Sequence, residues 1–498
     1  MSLEDTATNE KRANELLDRH WRMLIGGELV SARSGKTFDT VNPASGVTLA
    51  TVPFAQAEDV QLAYDCASAA QRDWKEVPVV ERVSCVRHMI EVLSANASDL
   101  GLLDAINGGN PVSGMSGDVF AAISKIDYYA SIVREIKGVT TTSSSGDLSL
   151  SICEPYGVVG RITPFNHPLL FVAASLVPPV LMGNAVILKG PEQAPLSQLL
   201  LGELIRDVFP RGVVNLVTGD GPITGDAIVR HPHIKKISFT GSAATGMRIQ
   251  RSAAEVAVKK ISMELGGKNA CIVLPDADLD RAVPGAIRAM NFGWSSQSCS
   301  SLSRLFLHES LHDNFLDRAA GIASRIRIGN PIDPDTEMGC LVSQTQYDKV
   351  IAYIESAISE GARLITGGGK PTGAEFSSGT FVSPTIFANV TEDMRIANEE
   401  IFGPVLSVFK WTDEAEVLRM ANSVNYGLTG SVWTENLDSA LRVARALDTG
   451  YVWINGAAGI TRGVPFGGRK NSGIDYETSI DELMGFAQYK GIAYQAPQ

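Results

Sequence analysis

No disulfide framework can be drawn in this chain. Its six cysteines, at 66, 85, 153, 271, 299 and 340, are scattered and form no CxxC pair. Neither a stapled secreted fold nor a zinc cage is expected, and most of the six read as small buried hydrophobes. Basic clusters are equally scarce. The formal net charge is -12 and no dense lysine/arginine run occurs, which argues against a nucleic-acid partner. An uninterrupted membrane-length apolar run is also missing. The longest apolar stretch, 169–188, contains Pro178-Pro179 and Gly183-Asn184, whose freed backbone groups lipid could not satisfy. It reads as a buried helix, a turn and a strand. The first twenty residues are polar and mixed in charge, without the apolar core of a signal peptide. A cytoplasmic protein without membrane or nucleic-acid partners is the expectation.

What is present is a 498-residue chain, 44% hydrophobic and 20% charged. That is a globular composition, too long for one ordinary core. Between 157 and 275 short apolar runs, GVVGRI, AVILK, VVNLV and KISF, alternate with helical patterns near 195–208, 223–230 and 243–256. This alternation predicts an open α/β sheet with helices on both faces. A second βα series follows: ACIVL, a helix from about 278, RLFLH, and helices near 310–324 and 345–359. The serine- and threonine-rich stretch 138–152 reads either as an exposed hairpin or as a linker. No internal repeat of 20–50 residues is visible.

Several short motifs carry chemistry. Glu264, in Met263-Glu264-Leu265-Gly266-Gly267-Lys268, is a carboxylate on a glycine-flanked turn, and Cys299 sits among small hydroxyl residues. If the two converge, a thiol nucleophile and a proton-handling group would share one site. Lys189 and Glu192 follow a predicted strand, where open α/β sheets bind ligands. They could bind a ribose, Glu192 repelling a 2′-phosphate, or be a solvated charge pair. Phe239-Thr240-Gly241-Ser242 leads from a strand into a helix whose N-terminus could meet a pyrophosphate, although many strand–helix turns are glycine-rich. Asn166, bracketed by Pro164 and Pro168, is held as an oxyanion donor must be, or merely caps a turn. His308-Glu309-Ser310-Leu311-His312 spells HExxH, which binds zinc only when both histidines share a helix. Here the first ends a predicted strand and Ser310 reads as the N-cap of the next helix. No metal is expected. His231-Pro232-His233 reads as a loop turn.

Taken in order, PFNHP, LKGPEQAPLS, FTGS, MELGGK, QSCSS, EEIFGPV and PFGGRKNSG resemble the aldehyde dehydrogenase superfamily from about residue 20 to 490. The resemblance implies an NAD(P)+-dependent enzyme oxidising a small-molecule aldehyde. Cys299 would attack the aldehyde to give a thiohemiacetal, in surroundings that favour its thiolate. Asn166 and the Cys299 N–H would hold the oxyanion, hydride would pass to the nicotinamide, and Glu264 would activate water to hydrolyse the thioester. Lys189 and Glu192 match adenosine-ribose contacts, favouring NAD with NADP less suited. Ser242 matches a pyrophosphate contact, Glu400 a nicotinamide-ribose acceptor and Phe402 its neighbour. Ile162, Phe165, Gly221, Gly225, Phe239, Thr240, Gly241 and Leu265 complete the implied cofactor cleft. Glu477 aligns with a glutamate that assists proton transfer in some members.

Departures from the family pattern are informative. Phe165 stands where tryptophan is usual, Ser296 where glycine is, and Ser175 where a lysine is common. The loss of that lysine bears on how Glu264 and Cys299 share protons. The implied substrate tunnel comprises His167, Ala174, Ser298, Ser300, Ile460 and Phe466. Ala174 in place of a tryptophan, with the small serines, suggests a bore for a bulky or aromatic aldehyde. The implied fold is α/β: a doubly wound NAD-binding domain (1–136 and 155–263), an α/β catalytic domain (264–473), and an oligomerisation segment (137–154 and 474–498). That segment would bridge a homodimer or homotetramer. The alternatives are a CoA-acylating relative and a non-catalytic binding or structural member.

Overall fold

The computed structural model describes residues 5–142, 146–457 and 459–496. Residues 143–145 of the expected hairpin and 497–498 of the expected bridge lie outside them. Two large sheets organise the chain. In the first, strands Val158–Ile162, Ala185–Lys189, Val214–Val217, Lys236–Thr240 and Lys260–Glu264 run parallel. The first three of these, together with Lys236–Thr240, are buried along their whole length, and a strand covered on both faces reads as a continuous apolar run. The earliest strand lies at the centre. Successive strands build outward on one side, then Lys236–Thr240 starts the other side. That reversal opens a crevice at the carboxyl ends of Val158–Ile162 and Lys236–Thr240, the place where such sheets bind ligands.

Short antiparallel strands Met23–Ile25 and Glu28–Val30 extend one edge. At the other edge Gly473–Ile474 pairs antiparallel with Met263 and Glu264. The second sheet orders Arg363–Thr366, Thr385–Ala388, Val405–Trp411, Arg304–His308, Ala270–Val273, Thr429–Trp433 and Tyr451–Ile454, parallel except at the first edge. Separate apolar cores are built on the two sheets.

The expected helix, turn and strand over 169–188 form as Pro168–Leu181, a turn at Gly183 (φ +82°) and Ala185–Lys189. The helix contains Pro178 and Pro179, and Asn184 closes its C-terminal end. The Asn184 backbone N–H and side-chain amide both donate to the Pro179 carbonyl, at 3.0 and 3.1 Å. Among the described residues, no helix is long and apolar enough to cross a membrane.

The 138–152 stretch forms strands Thr140–Thr142 and Leu148–Pro155, and Ala487–Tyr494 adds a third strand antiparallel to the second. Within the C-terminal stretch, Gly473–Ile474 pairs with the first sheet and the helix Ile480–Met484 precedes the strand Ala487–Tyr494. Ser310 is corrected. The helix runs His312–Ala323 with Leu311 at its N-cap, while the Ser310 N–H and hydroxyl both lie within hydrogen-bond range of His308 Nδ1. His308 ends its strand and His312 opens the helix, so the HExxH histidines occupy different elements. No group of three or more metal-ligating side chains is found among the described residues.

Candidate active site

Glu264 ends the strand Lys260–Glu264, and the turn after it is pinned from three sides. The Leu265 N–H donates to the Ser472 carbonyl at 2.8 Å, Ser472 Oγ donates to the Gly266 carbonyl at 2.7 Å, and the Gly267 N–H donates to Glu400 at 2.9 Å. The absence of a side chain at Gly267 matters, because a Cβ there would stand 2.7 Å from the Cys299 carbonyl. The loop bearing Cys299 enters through Ser295 and Ser296, at φ +49° and +53°. This is left-handed backbone, which costs an L residue about 1–2 kcal/mol and accounts for the usual glycine at 296. Gln297 Oε1 accepts from the Val342 N–H at 3.1 Å. Asn269 donates to the carbonyls of Cys299 (2.7 Å) and Ser301 (2.9 Å) while its oxygen accepts from the Thr429 N–H (3.0 Å). One amide thus fixes the nucleophile's loop to the second sheet.

These restraints bring the Glu264 carboxylate against the Cys299 thiol. Both line one cleft with Asn166, Phe165, Thr240, Gly241, Ser242, Glu400 and Phe402. Burial, then the Glu477 charge, pushes Glu264 up to about 8. Burial and then Glu264 hold the Cys299 thiol well above its usual range. The expectation of thiolate-favouring surroundings is therefore reversed for the chain's own residues. With anionic groups as the nearest charges, the proton stays on sulfur until Glu264 or a bound group changes the balance.

The crevice at the strand reversal continues from this cleft. Ile162, Phe165, Lys189, Glu192, Gly221, Gly225, Phe239, Thr240, Gly241 and Ser242 all line it. Lys189 Nζ is 2.9 Å from Glu192. Ser242 caps the helix Ala243–Ala254, accepting from the Thr245 N–H at 3.3 Å, so the helix N-terminus faces the crevice. Gly225 leaves ordinary contact distance to Lys189 and Ile162. The crevice combines an ion pair at a strand end with a helix N-terminus, a donor set that fits a dinucleotide. Leu265 is buried behind it, against Gly246. Phe402, at φ +57°, meets Phe165 edge-on with centroids 5.7 Å apart.

The implied tunnel residues separate. Ala174 is buried within its helix and lines neither cleft. Ser298 and Ser300 flank Cys299 and bond each other at 3.1 Å. Phe466 is buried and pairs with Glu477 through backbone bonds, lining a different cavity behind Glu264. Ile460 is half-buried and lines none of these cavities. His167 Nδ1 is 2.7 Å from Asp118, and its ring lies 5.9 Å from Phe171 and 5.4 Å from Trp294. Phe171 itself lines the Cys299 cleft, an aromatic that the sequence reading of the tunnel did not include. Gln346, Lys349, Arg248 and Asn269 also went unread. Gln346 secures the Ile401 and Phe402 carbonyls, and a lone glutamine on an amphipathic helix gives no signal of that.

Comparison with known proteins agrees with this geometry. The model of the aldehyde dehydrogenase family matches residues 29–492. Aldehyde dehydrogenase tropH of Talaromyces stipitatus is 42% identical over 98% of this chain and 95% of its own. The mitochondrial aldehyde dehydrogenase of Leishmania tarentolae is 38% identical over 95% and 94%. Among solved structures, the NAD+ complex of aldehyde dehydrogenase from Bacillus cereus aligns at TM-score 0.94 with 37% identity, covering 100% of both chains. The P. syringae AldA indole-3-acetaldehyde dehydrogenase, in complex with NAD+ and IAA, aligns at 0.96 with 34% identity, covering 99% and 100%. The chain belongs to the aldehyde dehydrogenase family and is an NAD(P)-dependent oxidoreductase acting on an aldehyde.

Proposed function

We propose that the enzyme oxidises a bulky or aromatic aldehyde to its free carboxylic acid, with NAD+ preferred over NADP+. The observation that carries this is that a buried Glu264 carboxyl and Cys299 line one cleft, which also presents Asn166 and Phe171. Glu264 Oε1 has no hydrogen-bond partner. A buried carboxylate oxygen left unsatisfied is costly in a structural role and suited to a transient proton. Cys299 sulfur bonds the aldehyde carbon as its proton passes to Glu264. The Asn166 amide and the Cys299 N–H stabilise the oxyanion. Bound nicotinamide supplies the hydride acceptor for this reaction. Glu264 first passes the thiol proton to Glu477 and on to solvent; ionised again, it takes a proton from water as the water oxygen bonds the thioester carbon and the C–S bond breaks with its electron pair left on sulfur. Glu477 accepts that proton onward.

The cofactor would lie along the crevice, with Lys189 and Glu192 at the adenosine ribose, Ser242 at the pyrophosphate, and Glu400 and Phe402 at the nicotinamide ribose. Glu192 opposes a 2′-phosphate. Phe171 gives the cleft an aromatic wall, with His167 packed edge-on against it and Trp294 against His167, and a similar chain acting on indole-3-acetaldehyde supports a large substrate. The strands at 140–155 and 487–494 are read as the oligomerisation surface of a homodimer or homotetramer. Its exposed Tyr489, Ile492 and Tyr494 support an edge made to be covered. The test is an aldehyde panel from acetaldehyde through benzaldehyde to indole-3-acetaldehyde, run with NAD+ and with NADP+. Free acid should appear without CoA or phosphate, with kcat/KM rising for the aromatic members. A preference for acetaldehyde, or a requirement for CoA, would sink the proposal.

A further inference from the structure

A second cavity touches Glu264 and shares no other lining residue with the Cys299 cleft. It is walled by Arg161, Phe466, Glu477 and Glu482, and around it the chain buries a compact charge cluster. Lys125, from the helix Val112–Ile132, is only 8% exposed. Its Nζ lies 3.0 Å from Glu477 and 3.5 Å from Glu482. Arg161, 3% exposed, stands 3.7 Å from the other Glu482 oxygen and donates to Ser175 Oγ at 3.1 Å. The Tyr129 hydroxyl donates to Glu482 and accepts from the Thr478 N–H. Fixing this many polar groups away from water is expensive, and an apolar filling would be as stable or better. A role in the chemistry explains the expense.

The position matters because of Ser175. A cation is usual there, and its hydroxyl instead receives Arg161. The nearest anionic neighbours of Glu264 are Glu477 behind it and Glu400 in front; Cys299 is the thiol it meets. Lys125 is the cation that acts on it from behind. Asp475 and Asp481 also line this cavity, and Lys236 stands 3.7 Å from Asp475.

We propose that Lys125, paired with Glu477 and backed by Arg161, is the positioning residue that lets Glu264 pass its proton out through the second cavity. It takes over from a different helix the place vacated at Ser175. The inference rests on the general-base reading of Glu264. In the hydrolytic step Glu264 gains the proton lost by water while the sulfur keeps the electron pair of the broken C–S bond. Glu264 then yields that proton through a water in the cavity to Glu477, and Glu477 to solvent. Burial alone would raise Glu477, but Lys125 and Arg161 outweigh it and hold Glu477 below its usual range. An ionised Glu477 is what an acceptor must be.

The test is the pH profile of acid formation, alongside the pH profile of Cys299 alkylation by iodoacetamide, which needs no turnover. Lys125→Met should move the acid limb of both upward by about one pH unit, since an opposite charge is lost. Glu477→Gln should move it downward, since a like charge is lost. Lys125→Arg should keep the wild-type profile, and Ser175→Lys should restore it in the Lys125→Met background. Folded Lys125→Met with an unmoved limb overturns the proposal, as do shifts of the same sign in the Lys125 and Glu477 variants. If Lys125→Met does not fold, Ser175→Lys alone decides: a lowered limb supports the proposal, and an unchanged one overturns it. Glu264→Gln separates the two levels. If it hydrolyses normally, the general-base reading falls. If it is inactive while the Lys125 profile stays put, only this inference falls.

Discussion

Ser296 holds a conformation that its side chain opposes. Its φ is +53° and its hydroxyl is buried without a hydrogen-bond partner. Ser296→Gly should therefore stabilise the enzyme by about 0.5–1 kcal/mol, the strain and desolvation removed exceeding the extra freedom of the unfolded glycine. A rise in the thermal midpoint with kcat/KM retained is the expected result. Glu264 presents the opposite bargain. Its carboxyl is raised from 4.5 to about 8 by burial and by Glu477, so the folded state binds a proton that the unfolded state has released between those values. Stability falls as pH rises through that window. Glu264→Gln should thus gain stability over the wild type as pH rises through the window, most of all above pH 8, while losing the hydrolytic step about a thousandfold or more. Denaturation midpoints at pH 5 and pH 9, with single-turnover kinetics, check both halves. Glu264 and Cys299 were legible in sequence because each sits in a run of small residues that chemistry needs. Lys125 and Asn269 were not: they act through partners 352 and 30 residues away, and each alone looks like an ordinary polar residue.

Secondary elements were legible wherever burial was two-sided. The strands Ala185–Lys189 and Lys236–Thr240 are covered completely, so apolar content alone marked them and their order implied the crevice. Ends and edges were harder. Ser310 looked like a cap, but His308 competes for its groups. Residues 473–474 join the first sheet through two register pairs, too short a strand to carry a period. The strand Ala487–Tyr494 is exposed beyond its first residue, which a solitary strand would not sustain with Tyr489, Ile492 and Tyr494 on it. On the proposed reading of this strand as an oligomerisation surface, replacing Ile492 and Tyr494 by lysine should lower the mass in solution to that of a monomer. Light scattering at micromolar concentration, with circular dichroism to confirm folding, reads this directly. An unchanged mass would remove the oligomerisation role from this strand.

At the scale of the whole molecule Glu264 and Cys299, the proposed reacting pair, come from different sheets. Glu264 ends a strand of the first and Cys299 hangs before a strand of the second, with Asn269 and Ser472 tying the turns together. Sequence order could not reveal that the tunnel departures diverge in space: Ala174 is buried in its helix, whereas Phe171 on the same helix lines the Cys299 cleft. The two cavities that meet only at Glu264 differ in calibre: the rear one has room for about one water molecule, whereas the front one opens into a crevice long enough for a dinucleotide. Such a pair is a sieve. The back has room for a water and for no aldehyde, so in the proposed mechanism only the front cleft can take the substrate.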